Sequence, residues 1–365
     1  MKTPASLYLI AAVVIIMGTV AALCLHSCGN NYVPKEIYTS GGSSPGTSST
    51  ITLASGLRSP SCLGVYSDYI YWSDFYEGKI YRVKKSGGSA ETIASSNLSY
   101  PKYIYVLDPY IYIAEADPTQ PDAQVNGIKR VGVNGTDAPV ELFSKQYAVG
   151  GLVSDGTAVY WTQRILTNGT VRKGPLDGTV TATEIATSLN RPSAITYKNS
   201  FLYFTNEGTT TDGATGSGDG SVMKLSTGGG SSTTLASSLK LPVSITSDAT
   251  NAYYCCEGAY SGITLEATIR KSIMNQTGSS IVLTGEGRIT RVWCDSGNNY
   301  IYYIEKDSSG GENGSIKKTN IGGSDIQVIA SSQTSPGDLI TDSTYVFWIQ
   351  ADWSGSNGAI YRRPK

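Results

Sequence analysis

The chain has 365 residues, a formal net charge of −1 and only 16% charged residues. This near-neutral balance argues against a nucleic-acid-binding protein, which needs a basic field to neutralise phosphates. Because 40% of the residues are apolar or aromatic, the composition also argues against intrinsic disorder.

The first 27 residues have the pattern of an export signal. Lys2 is followed by an apolar stretch from about Leu7 to Leu25, the order found in secretory signal peptides. The stretch ends in Leu25-His26-Ser27-Cys28-Gly29, which resembles the lipobox where bacterial lipoproteins are cut before an acylated cysteine. The alternative is an uncleaved membrane anchor, because about twenty apolar residues can span a bilayer.

We therefore expect residues 1–27 to be a signal peptide, Cys28 to be lipidated and residues 28–50 to form a flexible Gly/Ser-rich tether. This predicts a lipid-anchored protein of the cell envelope that faces away from the cytoplasm. In a diderm cell, Gly29 after the cysteine resembles sorting to the outer membrane. Since His26 is the only histidine, its removal excludes Ser-His-Asp or Cys-His catalysis and imidazole-bound metals.

From Ile51 onward, a unit of four strand-like segments recurs seven times. Its clearest mark is an aromatic strand such as Tyr69-Ile-Tyr-Trp72. Equivalent aromatic residues follow at intervals close to the roughly 40–50 residues of a four-stranded propeller blade. They are Tyr71, Tyr112, Tyr160, Tyr203, Tyr253, Tyr302 and Phe347. The sequence predicts an all-β, seven-bladed β-propeller over residues 51–365.

The two ends of the repeat region predict how the ring closes. The last unit stops after its third strand, at Tyr361-Arg-Arg-Pro364, whereas Ile51-Thr-Leu-Ala-Ser55 is a fourth strand without a unit of its own. If the N-terminal strand pairs with the last blade, no blade is left incomplete.

Two blades contain a recognisable repeat motif. Tyr71-Trp72-Ser73-Asp74 and Tyr160-Trp161-Thr162 resemble the YWTD-type propellers of lipoprotein-receptor ectodomains. Gly220-Ser-Val-Met-Lys-Leu225 and the segment 234–242 are similar to the repeats of secreted bacterial propellers, many of which have no assigned function. The resemblance covers residues 51–365 and includes no catalytic motif, and a seventh blade departs from the usual six of YWTD propellers.

Two polar positions recur in most units and are predicted to be architectural. An Asp or Asn before the aromatic strand is expected to close a turn on its own backbone. A cation on the third strand is expected to pair with an acid or lie across an aromatic ring. The cations are Arg82, Arg130, Lys173, Lys224, Lys271, Lys318 and Arg362.

Loops on one face of the ring hold the candidate ligand-binding residues. In a propeller, the 4→1 loops between blades and the 2→3 loops within blades open on the same face, and long loops on a rigid scaffold often bind ligands. Six 4→1 loops bring a cation: Arg58, Lys102, Lys145, Arg191, Lys240 and Arg288. If these converge, they form a positive funnel suited to an anionic glycan, phosphate or carboxylate; the alternative is a set of solvated repeat positions.

Two further sites are weaker candidates. The acidic, Gly-rich 2→3 loop with Asp212 and Asp219 could bind Ca²⁺ through oxygen ligands, although it has fewer acids than known calcium loops. Cys62, Cys255, Cys256 and Cys294 remain besides Cys28, and an even set in an oxidising compartment favours disulfides. Three pairings are open, of which Cys256 with Cys294 is preferred.

The preferred function is a membrane-anchored binding or assembly scaffold that recognises a glycan, peptide or protein with the loop-bearing face. The alternative is a carboxylate-dependent lyase or glycoside hydrolase. An enzyme of that type should bring two carboxylates within about 5–10 Å of each other. A scaffold should instead show exposed aromatic residues such as Tyr76, Tyr260 and Trp353.

Overall fold

The protein folds into a ring of seven antiparallel four-stranded sheets. The fold is that of a computed structural model, which describes residues 49–120, 123–209, 218–257, 267–307, 312–352 and 355–365. Within these residues every regular element is a strand. No helix there is long and apolar enough to cross a bilayer. The predicted all-β, seven-bladed propeller is confirmed.

Blades 1 to 6 use their strands in chain order from the centre outward, and blade 7 does so for its three inner strands. The first strands, which contact one another around the centre, are β2 (Pro60–Tyr66), β6 (Pro101–Leu107), β10 (Val149–Ser154), β14 (Pro192–Lys198), β18 (Pro242–Ser247), β22 (Arg288–Asp295) and β26 (Pro336–Thr341). The second strands are β3 (Tyr69–Asp74), β7 (Tyr110–Glu115), β11 (Ala158–Gln163), β15 (Phe201–Asn206), β19 (Asn251–Cys256), β23 (Tyr300–Lys306) and β27 (Tyr345–Gln350).

The outer half of each blade follows the same order. The third strands are β4 (Lys79–Lys84), β8 (Asn126–Gly132), β12 (Gly169–Pro175), β16 (Gly220–Ser226), β20 (Thr268–Ile273), β24 (Gly314–Asn320) and β28 (Gly358–Pro364). The fourth strands are β5 (Glu91–Ala94), β9 (Val140–Gln146), β13 (Thr183–Leu189), β17 (Thr233–Leu239), β21 (Ser280–Thr284), β25 (Gln327–Gln333) and, for blade 7, β1 (Ile51–Leu57).

The ring closes as the sequence predicts. β1 pairs antiparallel with β28, from Ile51 opposite Arg362 to Leu57 opposite Gly358. Near the closure, the Lys85 ammonium of blade 1 lies 2.8 Å from the Asp342 carboxylate of blade 7. Blade 7 is thus built from both ends of the propeller.

Aromatic side chains fill the space between blades. The second strands are buried almost along their whole length because each blade is covered by a neighbour on both faces. Trp72, Trp161 and Trp348 are fully buried. Trp72 stacks on Tyr81 of its own blade at a centroid distance of 5.4 Å, so the repeated aromatic strand supplies the core.

Both recurrent polar positions make the predicted architectural contacts in several blades. The Asp155 carboxylate accepts hydrogen bonds from the Thr157 and Ala158 N–H groups at 2.8 and 2.9 Å, which closes the turn before β11. The Arg82 guanidinium lies 4.2 Å from the Tyr69 ring centroid and donates to the Val133 carbonyl of the next blade at 2.9 Å. Asp248 and Asp342 close turns in the same way, and Arg130 and Arg362 also lie over aromatic rings, so we assign these positions to the architecture of the blades.

Candidate ligand-binding face

The 4→1 and 2→3 loops lie together on one face of the ring, here called the upper face. In six blades of the described chain, the N–H of the first residue of the 2→3 loop donates to the carbonyl of the last residue of the 4→1 loop. The donor and acceptor pairs of this loop clasp are Phe75 with Ser59, Ala116 with Tyr100, Arg164 with Ala148, Glu207 with Arg191, Glu257 with Leu241 and Ala351 with Ser335. The clasp fixes the loops that surround the mouth of the ring.

The six cations predicted to bind a ligand occupy different positions relative to the clasp. Arg191 is a clasp residue, and Arg288 lies at the corresponding position of blade 6, opposite Lys306. Arg58, Lys102 and Lys145 are exposed, whereas Lys240 and Arg288 are half-buried and Arg191 is 8% exposed. The six therefore do not repeat one position around the mouth, and their role in binding stays a prediction.

Arg191 belongs to a three-residue ion cluster between blades 3 and 4. Arg164 makes two hydrogen bonds to the Glu207 carboxylate, at 2.8 and 2.5 Å, and Arg191 Nη2 lies 3.3 Å from the same carboxylate. Burial, followed by the nearby Arg164 charge, lowers the pKa of the Arg191 guanidinium. The cluster joins two blades through one carboxylate and has one excess positive charge. Sequence reasoning found Arg191 but not Arg164 or Glu207.

A second ion network joins blades 5 and 6. Arg288 Nε lies 2.9 Å from Glu257 Oε1, and its Nη2 lies 3.7 Å from Glu312, which also pairs with Lys306. Burial opposes ionisation of Glu312, but the hydrogen bond and charge of Lys306 lower its pKa. The charges of this network balance within the protein.

Carboxylates at the ends of second strands hold the upper loops in place. Glu115 accepts a hydrogen bond from the Ser99 N–H at 2.7 Å and pairs with Lys129 at 2.8 Å. Glu305 in blade 6 accepts from the Glu286 and Gly287 N–H groups, at 2.6 and 2.9 Å, and pairs with Lys317. These side chains are committed to loop structure.

A polar cleft of about 340 Å³ opens beside blade 6. Glu286, Glu305 and Asp307 line it together with Lys306 and Lys317. Its lining is rich in carboxylates, as the pocket of a hydrolase or lyase would need to be. Glu305 is already held by two backbone donors and a lysine, which leaves Glu286 and Asp307 as the acids open to other partners.

An aromatic group lies on the upper face at the junction of blades 1 and 2. Tyr76 is 43% exposed, and the centroid of its ring lies 5.1 Å from that of Phe75 and 6.3 Å from that of Tyr100. The Arg58 guanidinium lies 5.8 Å from the Tyr76 centroid. We call Phe75, Tyr76, Tyr100 and Arg58 the Tyr76 platform. Tyr76 and Arg58 were predicted separately, and the fold brings them together; Tyr260 and Trp353 lie outside the described residues.

A buried ion pair occupies the innermost strands of blades 6 and 7. Arg291 Nε lies 2.6 Å from Asp338 Oδ1, and the two side chains are 10% and 3% exposed. Asp338 Oδ2 also accepts from the Leu63 N–H of blade 1 at 2.8 Å. Burial raises the pKa of Asp338 even though Arg291 opposes it. The pair was missed from the sequence, although both residues depart from Cys62, Gly151, Ala194 and Ser244, the small residues at the same strand position of blades 1, 3, 4 and 5; blade 2 has Tyr103 there.

The metal candidate gains no support from the described residues, which contain no group of three or more His, Cys, Asp or Glu side chains able to hold an ion. Asp219 Oδ2 accepts hydrogen bonds from the Thr209 N–H and hydroxyl, at 2.9 and 2.6 Å, and so closes its own loop. Asp212 and Cys28 lie outside the described residues.

The preferred disulfide is wrong for this structure, in which Cys255, Cys256 and Cys294 are free thiols. The Cys294 N–H donates to Thr246 Oγ1 at 3.2 Å, and Thr246 lies opposite Tyr253. Cys256 is three residues beyond Tyr253 on β19, so at the rise of a strand it lies roughly 10 Å from the height of Cys294. This exceeds the Cα separation that a disulfide allows.

No family model matches the chain, and no curated protein does. Among solved structures, streptogramin B lyase is similar at a TM-score of 0.60 with 15% identity, over 87% of this chain and 97% of that chain. A catalytically inactive histidine-to-alanine variant of virginiamycin B lyase from Staphylococcus aureus, with quinupristin, gives a TM-score of 0.61 with 13% identity, over 87% and 99%. A chain of a nidogen/laminin complex gives 21% identity over 58% and 75%, with a TM-score of 0.44.

At these identities the two lyase matches establish a shared fold and nothing further, and the nidogen/laminin match is too weak for an argument. The class of protein defined by the fold is the seven-bladed β-propeller, with an upper face whose loops are clasped in place.

Proposed function

We propose that the protein is a binding scaffold, which recognises its ligand with the upper face. One observation favours binding over catalysis: the buried carboxylates of this face are tied to cations or backbone donors, as Glu115, Glu207 and Glu305 show. Such groups keep a loop surface rigid, and a rigid surface loses little entropy when a ligand binds. The ligand class proposed from the sequence is a glycan, peptide or protein of the cell envelope.

The second candidate function is a lyase or glycoside hydrolase, favoured by the cleft with Glu286 and Asp307. The virginiamycin B lyase is inactive when one histidine is replaced, whereas the only histidine here, His26, precedes the propeller. We therefore expect virginiamycin B and quinupristin to be unchanged after incubation with the protein, as measured by mass spectrometry. Turnover that is lost in Glu286→Gln or Asp307→Asn would instead support the enzyme.

We also propose that the chain is exported and lipidated at Cys28, which tethers the propeller to the outer side of a membrane. The support is the order of Lys2, the apolar stretch and the lipobox-like segment ending at Cys28. Mass spectrometry of the mature N-terminus should find an acylated Cys28, and Cys28→Ser should release the protein from the membrane fraction. Retention of residues 1–27 in the mature protein would support the uncleaved anchor.

The binding function is tested by crosslinking full-length tagged protein in its own cells and identifying what is captured. The double variant Arg58→Ala/Tyr76→Ala should lose the captured ligand. Lys84→Ala, an exposed cation at the end of β4 and away from the upper loops, is the matched control and should retain it. Equal capture by both variants would contradict binding through this part of the upper face.

A further inference from the structure

The Tyr76 platform is held rigid by the loop that bears it. The Ser59 N–H and hydroxyl donate to the Asp74 carboxylate at 3.1 and 3.0 Å, and the Ser59 hydroxyl accepts from the Tyr76 N–H at 2.8 Å. Asp74 also accepts from the Glu77 N–H at 3.2 Å. The aromatic ring therefore projects from a backbone that needs no further ordering when a ligand binds.

Polar groups of both signs lie in the same loop as this ring. Arg58 is exposed beside Tyr76, and its guanidinium offers a planar fork of donors. Glu77 Oε2 accepts from Tyr81 Oη at 2.6 Å and Lys79 Nζ at 2.9 Å. The hydrogen bonds from Tyr81 and Lys79 lower the pKa of Glu77, so its carboxylate is an acceptor at neutral pH. The loop segment that carries the Tyr76 ring thus also carries an acceptor at Glu77, and a strong donor, Arg58, lies beside the ring.

This combination suits a sugar better than a protein partner. Protein interfaces centre on a contiguous group of buried aromatic anchors. On the upper face of the described chain, the large exposed apolar side chains are Tyr76, Val125 and Leu166, each in the 2→3 loop of a different blade. A single sugar ring needs only one aromatic surface for its C–H face and flanking groups for its hydroxyls.

We propose that the Tyr76 platform is a carbohydrate subsite, in which Tyr76 stacks on a sugar ring while Arg58 and Glu77 bind its hydroxyl or carboxylate groups. This inference rests on the proposed binding function of the upper face. Arg58 makes a uronic acid a better ligand than a neutral sugar, because a guanidinium binds a carboxylate through two parallel hydrogen bonds.

The test uses full-length protein in detergent and isothermal titration with two probes, a galacturonate tetramer and an N-acetylglucosamine tetramer. We expect both to bind, and Tyr76→Ala to weaken both about tenfold, the equivalent of roughly 1.4 kcal/mol. Tyr76→Phe keeps the ring and should bind as the parent does. Arg58→Ala should weaken the galacturonate tetramer more than the neutral one, and Leu166→Ala is the control that should change neither.

Binding of neither tetramer, or equal binding by Tyr76→Ala and the parent, would overturn the carbohydrate subsite. If in that case Arg58→Ala/Tyr76→Ala still loses a protein or peptide captured from cells, the binding scaffold stands and only the sugar is wrong. If the double variant captures everything that the parent captures, the proposed function of this part of the face fails as well.

Discussion

The buried pair Arg291–Asp338 leads to a prediction about stability. The equivalent position of another blade indicates which substitution removes only the ion pair. In blade 5 the equivalent position is Ser244, whose hydroxyl accepts the Val292 N–H of the next blade at 3.3 Å. Asp338 does the same for the Leu63 N–H of blade 1. We therefore expect Asp338→Ser to keep this interblade hydrogen bond and to lose only the ion pair.

The expected cost follows from what each change leaves buried. Asp338→Ser leaves the Arg291 guanidinium without its carboxylate at 10% exposure, and breaking a buried pair from one side typically costs about 3–5 kcal/mol. Arg291→Met leaves a buried carboxylate and should cost a similar amount. The double variant Arg291→Met/Asp338→Ser removes both charges while methionine fills the space. Its free energy of unfolding should therefore lie within about 1.5 kcal/mol of the parent.

The assay is urea unfolding followed by tryptophan fluorescence at pH 7, with all four proteins forming a double-mutant cycle. We expect a coupling energy of at least about 2 kcal/mol between the two positions. The reasoning would be refuted if the two single costs simply added in the double variant, or if Asp338→Ser cost less than about 1 kcal/mol.

The pH dependence gives an independent check of the same pair. Burial raises the pKa of Asp338, and removing Arg291 takes away the charge that opposes this rise. A carboxyl whose pKa is higher in the folded state stabilises the fold as the pH falls toward the unfolded value. The stability deficit of Arg291→Met should therefore shrink between pH 7 and pH 5, whereas that of Asp338→Ser should not.

Three further predictions concern the ring and its ion pairs. Removing residues 1–57, and with them β1, should cost at least about 5 kcal/mol relative to removing residues 1–48, because blade 7 loses its outer strand; equal thermal midpoints by circular dichroism would contradict ring closure by this strand. Arg82→Ala should cost about 1–2 kcal/mol in urea unfolding because it loses both the Tyr69 stack and the Val133 bond. Arg82→Lys should recover part of the lost free energy of unfolding, because a lysine can also lie over the ring, as Lys224 does over Phe201 at 4.0 Å. An equal loss in Arg82→Ala and Arg82→Lys would argue against stacking. Glu207→Gln should cost about 3 kcal/mol because Arg164 and Arg191 then repel each other, and a cost unchanged by added salt would count against repulsion.

The architecture could be predicted because the repeat records it many times. The aromatic strand, the turn aspartate and the third-strand cation each recur, so a wrong assignment in one blade is corrected by the other six. Arg82 illustrates this, since its predicted position across an aromatic ring is found over Tyr69. Closure followed from the unpaired Ile51 strand and the truncated last unit, which needed no knowledge of side-chain contacts.

Contacts between neighbouring blades could not be predicted in the same way. Whether Arg164 meets Glu207 depends on how one blade is rotated against the next, and spacing along the chain does not encode that rotation. The same limit explains the wrong disulfide. Cys256 and Cys294 belong to neighbouring blades, but their strands place them at different heights. Several of the predicted cations were found in contacts that the sequence did not indicate, as Arg58, Lys102, Arg191 and Arg288 show.

Departures from the repeat are the best guide to function in a chain of this kind. A residue shared by all blades is needed to build a blade, so it says little about a ligand. At the first position of the 2→3 loop, Phe75 of blade 1 is aromatic, whereas Arg164, Glu207 and Glu257 of blades 3 to 5 are charged and paired. The charged side chains of blades 3 to 6 largely neutralise one another within the protein. Tyr76, beside Arg58, is 43% exposed and its ring is not part of the clasp. This is why the binding experiments begin at the junction of blades 1 and 2.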